Sequence, residues 1–93
     1  RMKLIYGGRG TGKTRQLLEY AAENRATVIT KNARALRVKA QSYGINVDIV
    51  EADSLTENTL FDKRVVIHDL DDYLKDYFNK RGSWIMGATM TED

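Results

Sequence analysis

With 93 residues and neither cysteine nor proline, the chain has room for one small domain and excludes disulfides and thiolate metal sites. Its net charge of +2 is too mild to mark a nucleic-acid binder on that ground alone. No apolar run approaches the ~20 residues of a membrane span, and no signal-peptide pattern precedes the first apolar stretch, which predicts a protein of the cytoplasm with no membrane contact. Arg1 before Met2 points to Met2 as the natural start.

In chain order, Lys3-Leu4-Ile5-Tyr6 predicts a short buried strand. After a glycine-rich stretch, Thr14, Leu17, Leu18, Ala21 and Ala22 recur at helical spacing. Residues 26–30 predict a second strand. Asn32 suits the cap of a helix running to about Tyr43, with Ala33, Leu36, Ala40 and Tyr43 on its apolar face and Gly44 ending it. Residues 45–50 alternate as a third strand, 53–63 read as a polar loop with at most one helical turn, and Val65-Val66-Ile67 as a fourth strand. Leu70, Tyr73, Leu74, Tyr77 and Phe78 form the cleanest helical stripe, with Asp71 and Asp72 at its start and Lys80, Arg81 and Gly82 at its end, each charge matched to the helix dipole. Trp84-Ile85-Met86 predicts a fifth strand. Strands alternating with helices predict an α/β domain over residues 1–93, a three-layer sandwich with a mostly parallel five-stranded sheet flanked by helices.

The chemistry concentrates in Gly7-Gly8-Arg9-Gly10-Thr11-Gly12-Lys13-Thr14, a complete Walker A phosphate loop between a predicted strand and a predicted helix. Its glycines let the backbone approach a ligand closely, and successive N–H groups at a helix N-terminus favour a polyphosphate. Lys13 would reach the β- and γ-phosphates, and the Thr14 hydroxyl would ligate Mg²⁺. A plain glycine turn joining strand to helix is the alternative, but such a turn has no use for Lys-Thr after its last glycine.

Residues 64–69 suit the second half of such a site, a buried strand with a carboxylate at its carboxyl end, where ligands of open α/β sheets bind. Asp69 would hold Mg²⁺ through a water opposite Thr14, so that Lys13 and Asp69 are the catalytic candidates and Thr14 and Asp69 the metal candidates. A simple N-cap role for Asp69 is the competing reading. Strand alternation sends His68, the only histidine, to the face opposite Asp69, which predicts a packed or hydrogen-bonded structural role. Lys31, Arg34, Arg37 and Lys39 surround the second helix away from its apolar stripe; a solvated face is the ordinary reading, and DNA contact through Lys31, Arg34 and Arg37 the alternative.

With these motifs in order, the chain resembles a P-loop NTPase, and more narrowly the helicase- and recombinase-type (RecA-like) branch. Thr27-Val28-Ile29-Thr30-Lys31-Asn32 is similar to the segment after the second strand of superfamily 1 helicases, and residues 49–55 to the third-strand segment. Residues 84–91 fall where that family carries a sensor strand, so the resemblance implies Thr89 or Thr91 as the γ-phosphate sensor. It also implies ATP and Mg²⁺ as cofactors. Similarity to small phage-encoded nucleotide-binding proteins implies work in phage DNA replication or recombination, in the host cytoplasm.

The departures shape the expected activity. Leu70 stands where the family places the glutamate that activates water, no cis arginine finger is identifiable, and the second lobe of a helicase motor is missing. The Asn-Lys-x-Asp guanine motif is also missing, which favours ATP. The expectation is therefore an ATP-binding protein with slow or partner-stimulated Mg²⁺-dependent hydrolysis, its site completed by a homo-oligomer or another protein. The alternatives are a non-hydrolysing module that responds to ATP or ADP, and a small-molecule phosphotransferase.

Overall fold

The computed structural model describes residues 2–56 and 58–91; Arg1 lies outside them. Three helices and three strands follow one another as α1 (Lys13–Glu23), β1 (Thr27–Thr30), α2 (Ala33–Ser42), β2 (Asp48–Glu51), a 3₁₀ turn (Ala52–Ser54), β3 (Val65–Ile67) and α3 (Leu70–Asn79). The sheet is wholly parallel in the order β2-β1-β3. Val28 pairs with Ile49 on one side and Val66 on the other.

Local chemistry accounts for the helices. Asn32 caps α2 by accepting a hydrogen bond from the Ala35 N–H at 3.2 Å, and Gly44 takes φ 71° just past its end. Ala33, Leu36 and Ala40 are the buried face of α2, and Leu18 and Ala21 that of α1. Helix α1 touches β1 and β3, while α2 touches β1 and β2. The core is therefore Leu18, Ala21, Ala26, Val28, Ala33, Leu36, Ala40 and Ile49, with Ile45, Val47 and Val66 packed against it. Every residue of β1 is buried, as a central parallel strand requires.

The five-stranded sandwich predicted from the sequence is not the fold: among the described residues the sheet has three strands. Residues 3–6 and 84–86 are irregular, with Tyr6 86% and Trp84 72% exposed. A run of three or four apolar residues becomes a strand only where a sheet edge accepts its hydrogen bonds, and neither run is paired to one. The third predicted strand also shortens, its first residues packing as loop before pairing begins at Asp48. The predicted stripe of α3 does form one helix face, yet none of its residues is fully buried. Among the described residues no helix is long and apolar enough to cross a membrane.

Complete burial of Leu18 and partial exposure of Leu74 set a contrast. Leu18→Ala should cost about 2–5 kcal/mol in urea unfolding, as truncations in packed cores do. Leu74→Ala, at 37% exposure, should cost clearly less. Equal losses would mean that α3 is as much part of the core as α1.

Candidate functional site

The glycine loop folds back over the start of α1. Thr11 Oγ1 and Lys13 Nζ both donate to the Gly8 carbonyl, each at 2.8 Å. Gly10 and Gly12 take φ 74° and 80°, left-handed conformations that favour glycine. Gly12 is the N-cap of α1 and has no side chain to occupy the helix end, and no acidic residue lies in the first turn. The first i to i−4 bond runs from the Gln16 N–H to the Gly12 carbonyl at 3.1 Å. The N–H groups of Lys13, Thr14 and Arg15 precede that bond and have no partner of that kind. A Cβ on Gly7 would meet Thr11 Oγ1 at 3.1 Å, whereas one on Gly8 would meet nothing within 4 Å.

Opposite the loop stand the carboxyl ends of β1 and β3. Thr30 closes β1 and is 3% exposed. The His68 N–H donates to the Ile29 carbonyl at 2.9 Å, carrying the β3–β1 ladder one residue past the strand. The His68 ring then lies between two threonines: Nδ1 is 3.0 Å from Thr30 Oγ1, and Nε2 is 3.4 Å from Thr14 Oγ1. A hydrogen-bonded role for His68 is therefore what the fold provides. Its expected separation from Asp69 is not. Strand geometry ends at Ile67, and Asp69 turns left-handed at φ 54°, ψ 61°, which brings its carboxylate to 3.6 Å from His68 Nε2. Asp69 is the N-cap of α3 by position, but its side chain makes no capping bond. Left-handed backbone costs a non-glycine residue roughly 1–2 kcal/mol, less for aspartate, whose short polar side chain tolerates it.

Thr14 and Asp69 are thus brought together around one imidazole. His68 and Thr30 are the members of this cluster that sequence reasoning did not assign to the site. A lone histidine carries no spacing signal, and only the β1–β3 pairing reveals that Thr30 stands beside it. Thr89 and Thr91 lie exposed in irregular chain beyond α3, without the predicted sensor strand. Arg9 is exposed on the loop.

The basic residues have mixed fates. Lys31 pairs with Asp76 at 2.6 Å, and Arg37 donates to the Ile49 carbonyl at 2.8 Å. Arg34 is exposed on α2. Lys80 bridges Asp76 at 2.9 Å and Asp53 at 3.1 Å, so that Lys31, Asp53, Asp76 and Lys80 tie α3 to the carboxyl ends of β1 and β2. These residues line a shallow cavity of about 290 Å³ with Tyr73 and Tyr77; a second cavity, of about 380 Å³, lies among Arg25, Thr27, Asp62, Lys63 and Arg64. Neither includes a residue of the glycine loop.

No protein-family model matches this chain, and neither does any curated protein or solved structure.

The ion-pair cluster predicts a pH dependence in the docking of α3. Hydrogen bonds from Lys31 and then Lys80 hold the Asp76 carboxyl below its usual range, and Asp76 and then Asp53 push the Lys80 ammonium above its own. The Asp76 contribution is whole above the ordinary aspartate pKa of 3.8 and is lost as pH falls through the lower folded value. The Lys80 contribution is whole below the ordinary lysine pKa of 10.5 and is lost as pH rises through the higher folded value. Thermal melts should therefore separate wild type from Asp76→Asn at pH 6 and bring the two together in strong acid. A gap that persists unchanged in strong acid would assign the loss to packing instead.

Proposed function

We propose that the chain is an ATP-binding protein of phosphate-loop type, holding the polyphosphate on the Gly7–Thr14 loop and a divalent cation between Thr14 and Asp69. The observation that carries this reading is the meeting of Thr14 and Asp69, 55 positions apart in sequence, around the ring of His68. Gly8 adds to it. Neither a left-handed backbone nor internal crowding calls for glycine there, and the missing Cβ leaves the loop open to an incoming group. The uncapped start of α1 supplies unpartnered N–H groups and the positive end of a helix dipole, both suited to phosphate oxygens.

In this reading the Lys13 ammonium leaves the Gly8 carbonyl for the β- and γ-phosphates, and Thr11 keeps the loop closed. The oxygen donors of Thr14 and Asp69 fit Mg²⁺, which when bound would neutralise charge on the phosphates. Hydrolysis by the chain alone should be slow. Leu70 occupies the position after Asp69, while Asp71 and Asp72 are exposed in the first turn of α3. An arginine supplied by a second subunit or another protein, docking near Gly8 and Arg9, would raise the rate, and such arginines add roughly 10³–10⁵-fold elsewhere. The same Leu70 favours a second reading, a module that responds to ATP or ADP without turnover. Likeness to helicase- and recombinase-type segments is what supports work on DNA.

Mg·ATP should stabilise the fold by about 2.7 kcal/mol at a hundredfold excess over Kd, a shift of several degrees in a domain this small. Lys13→Ala should lose most of that shift and remain folded without ligand, because the Lys13 side chain bonds to an exposed loop carbonyl and alanine suits the helix start. An undiminished shift in Lys13→Ala would refute the assigned site. Single-turnover hydrolysis at rising protein concentration separates the two readings: turnover that climbs with concentration supports a partner-stimulated ATPase, and none at any concentration supports the responsive module.

A further inference from the structure

We propose that His68 Nε2 is itself a ligand of the cation held by Thr14 and Asp69, giving a mixed nitrogen and oxygen site that prefers a transition metal such as Mn²⁺ or Zn²⁺ to Mg²⁺. The inference rests on the metal site proposed above and changes its donor set. Nε2 lies 3.4 Å from Thr14 Oγ1 and 3.6 Å from Asp69 Oδ2. Both separations exceed the usual 2.7–3.2 Å of an N–H···O bond, so as hydrogen bonds they are poor. As spacings between ligands of one ion they are ordinary. Donors bound at 2.0–2.2 Å stand about 2.8–3.6 Å apart, from right-angled to tetrahedral arrangements.

The ring is also held as a ligating imidazole is held. Nδ1 lies 3.0 Å from the hydroxyl oxygen of Thr30, a residue only 3% exposed. With Nδ1–H donating to Thr30, the Nε2 lone pair faces Thr14 and Asp69. An outer hydrogen bond of this kind sets the tautomer and orientation of metal-bound histidines. The backbone of His68 is anchored to the sheet through Ile29, and the side chain is only 19% exposed. The left-handed turn at Asp69 then completes the set, because an extended Asp69 would point away from the ring. Imidazole nitrogen suits first-row transition metals better than Mg²⁺, whose preferred ligands are oxygens and water.

The test uses Mn²⁺ as probe, alone and with ADP, on the whole chain. Because His68 is the only histidine, its nitrogens can be replaced selectively by growing the protein on ¹⁵N-histidine. Pulsed EPR of the bound Mn²⁺ should show a directly coordinated nitrogen whose modulation changes with that label, and His68→Gln should abolish the coupling and weaken Mn²⁺ binding about tenfold or more. The labelling arm needs no substitution, so it decides the matter even if His68→Gln fails to fold. Bound Mn²⁺ without label-dependent modulation, or no Mn²⁺ bound in either condition, overturns the proposal. Nucleotide binding measured in EDTA reports on the phosphate loop separately. Nucleotide bound there, with an unlabelled Mn²⁺ signal, sinks the His68 ligand and spares the loop; label-dependent Mn²⁺ without nucleotide binding does the reverse.

Discussion

Everything in this small molecule depends on one strand of four residues. β1 is buried at every position and bonds to a parallel neighbour on each side, so its backbone groups are satisfied only when both neighbours form. α1 and α2 pack into one core with the Val28, Ile49 and Val66 face of the sheet, through small residues as much as large ones: Ala21, Ala33 and Ala40 lie buried beside Leu18 and Leu36. Small side chains let helices approach a short sheet closely, which a 93-residue chain needs if its core is to exclude water. The threonines at the two ends of β1 are the polar exceptions, and each has a side-chain partner, Asp48 for Thr27 and His68 for Thr30. Burial without partners would have been costly for both hydroxyls.

The same strand gathers the candidate site. Parallel strands end on one side of a sheet, and the groups that follow β1 and β3 meet the helix start that follows the glycine loop. Thr30 is therefore both the last core residue of its strand and the anchor of the His68 ring. Thr14 Oγ1 and Asp69 Oδ2 both lie near His68 Nε2, so the first turn of α1 and the residue before α3 meet at one ring. At Asp69 the left-handed backbone exchanges a capping hydrogen bond for a carboxylate turned back to the ring.

α3 is built on different physics. Its apolar face is continuous, yet Leu74, Tyr77 and Phe78 all stay partly exposed. What ties it to the sheet is a polar cluster, Lys31 and Lys80 about Asp76 with Asp53 at the far end. Pairs this exposed are weak one at a time, and their geometry matters mainly for where the helix sits. Beside it, Arg81 stacks over the Tyr77 ring at 3.7 Å, another contact that shields an aromatic face without burying it. The helix is thus aligned by charge at the same end of the sheet as the glycine loop, while its packing stays shallow.

Helices were legible in the sequence because each declares itself locally. Asn32 and Gly44 bracket α2, the apolar stripe of α1 repeats within one helix, and Gly82 with Asp71 and Asp72 marks the ends of α3. The glycine loop at the start of α1 was legible for the same reason, its glycines and Lys13-Thr14 being consecutive. The extent of the sheet was not: residues 4–6 and 84–86 are short apolar runs like residues 65–67, and only a neighbour's hydrogen bonds distinguish a strand from an extended run. Nor was the place of His68, since periodicity assumes that the strand continues through Asp69, whereas the left-handed turn there ends it. Sequence alone determined the helices, the loop and the kinds of residue available for chemistry. Tertiary structure alone decided which strands pair and that Thr14, Thr30, His68 and Asp69 share one corner, because both follow from contacts between segments distant along the chain.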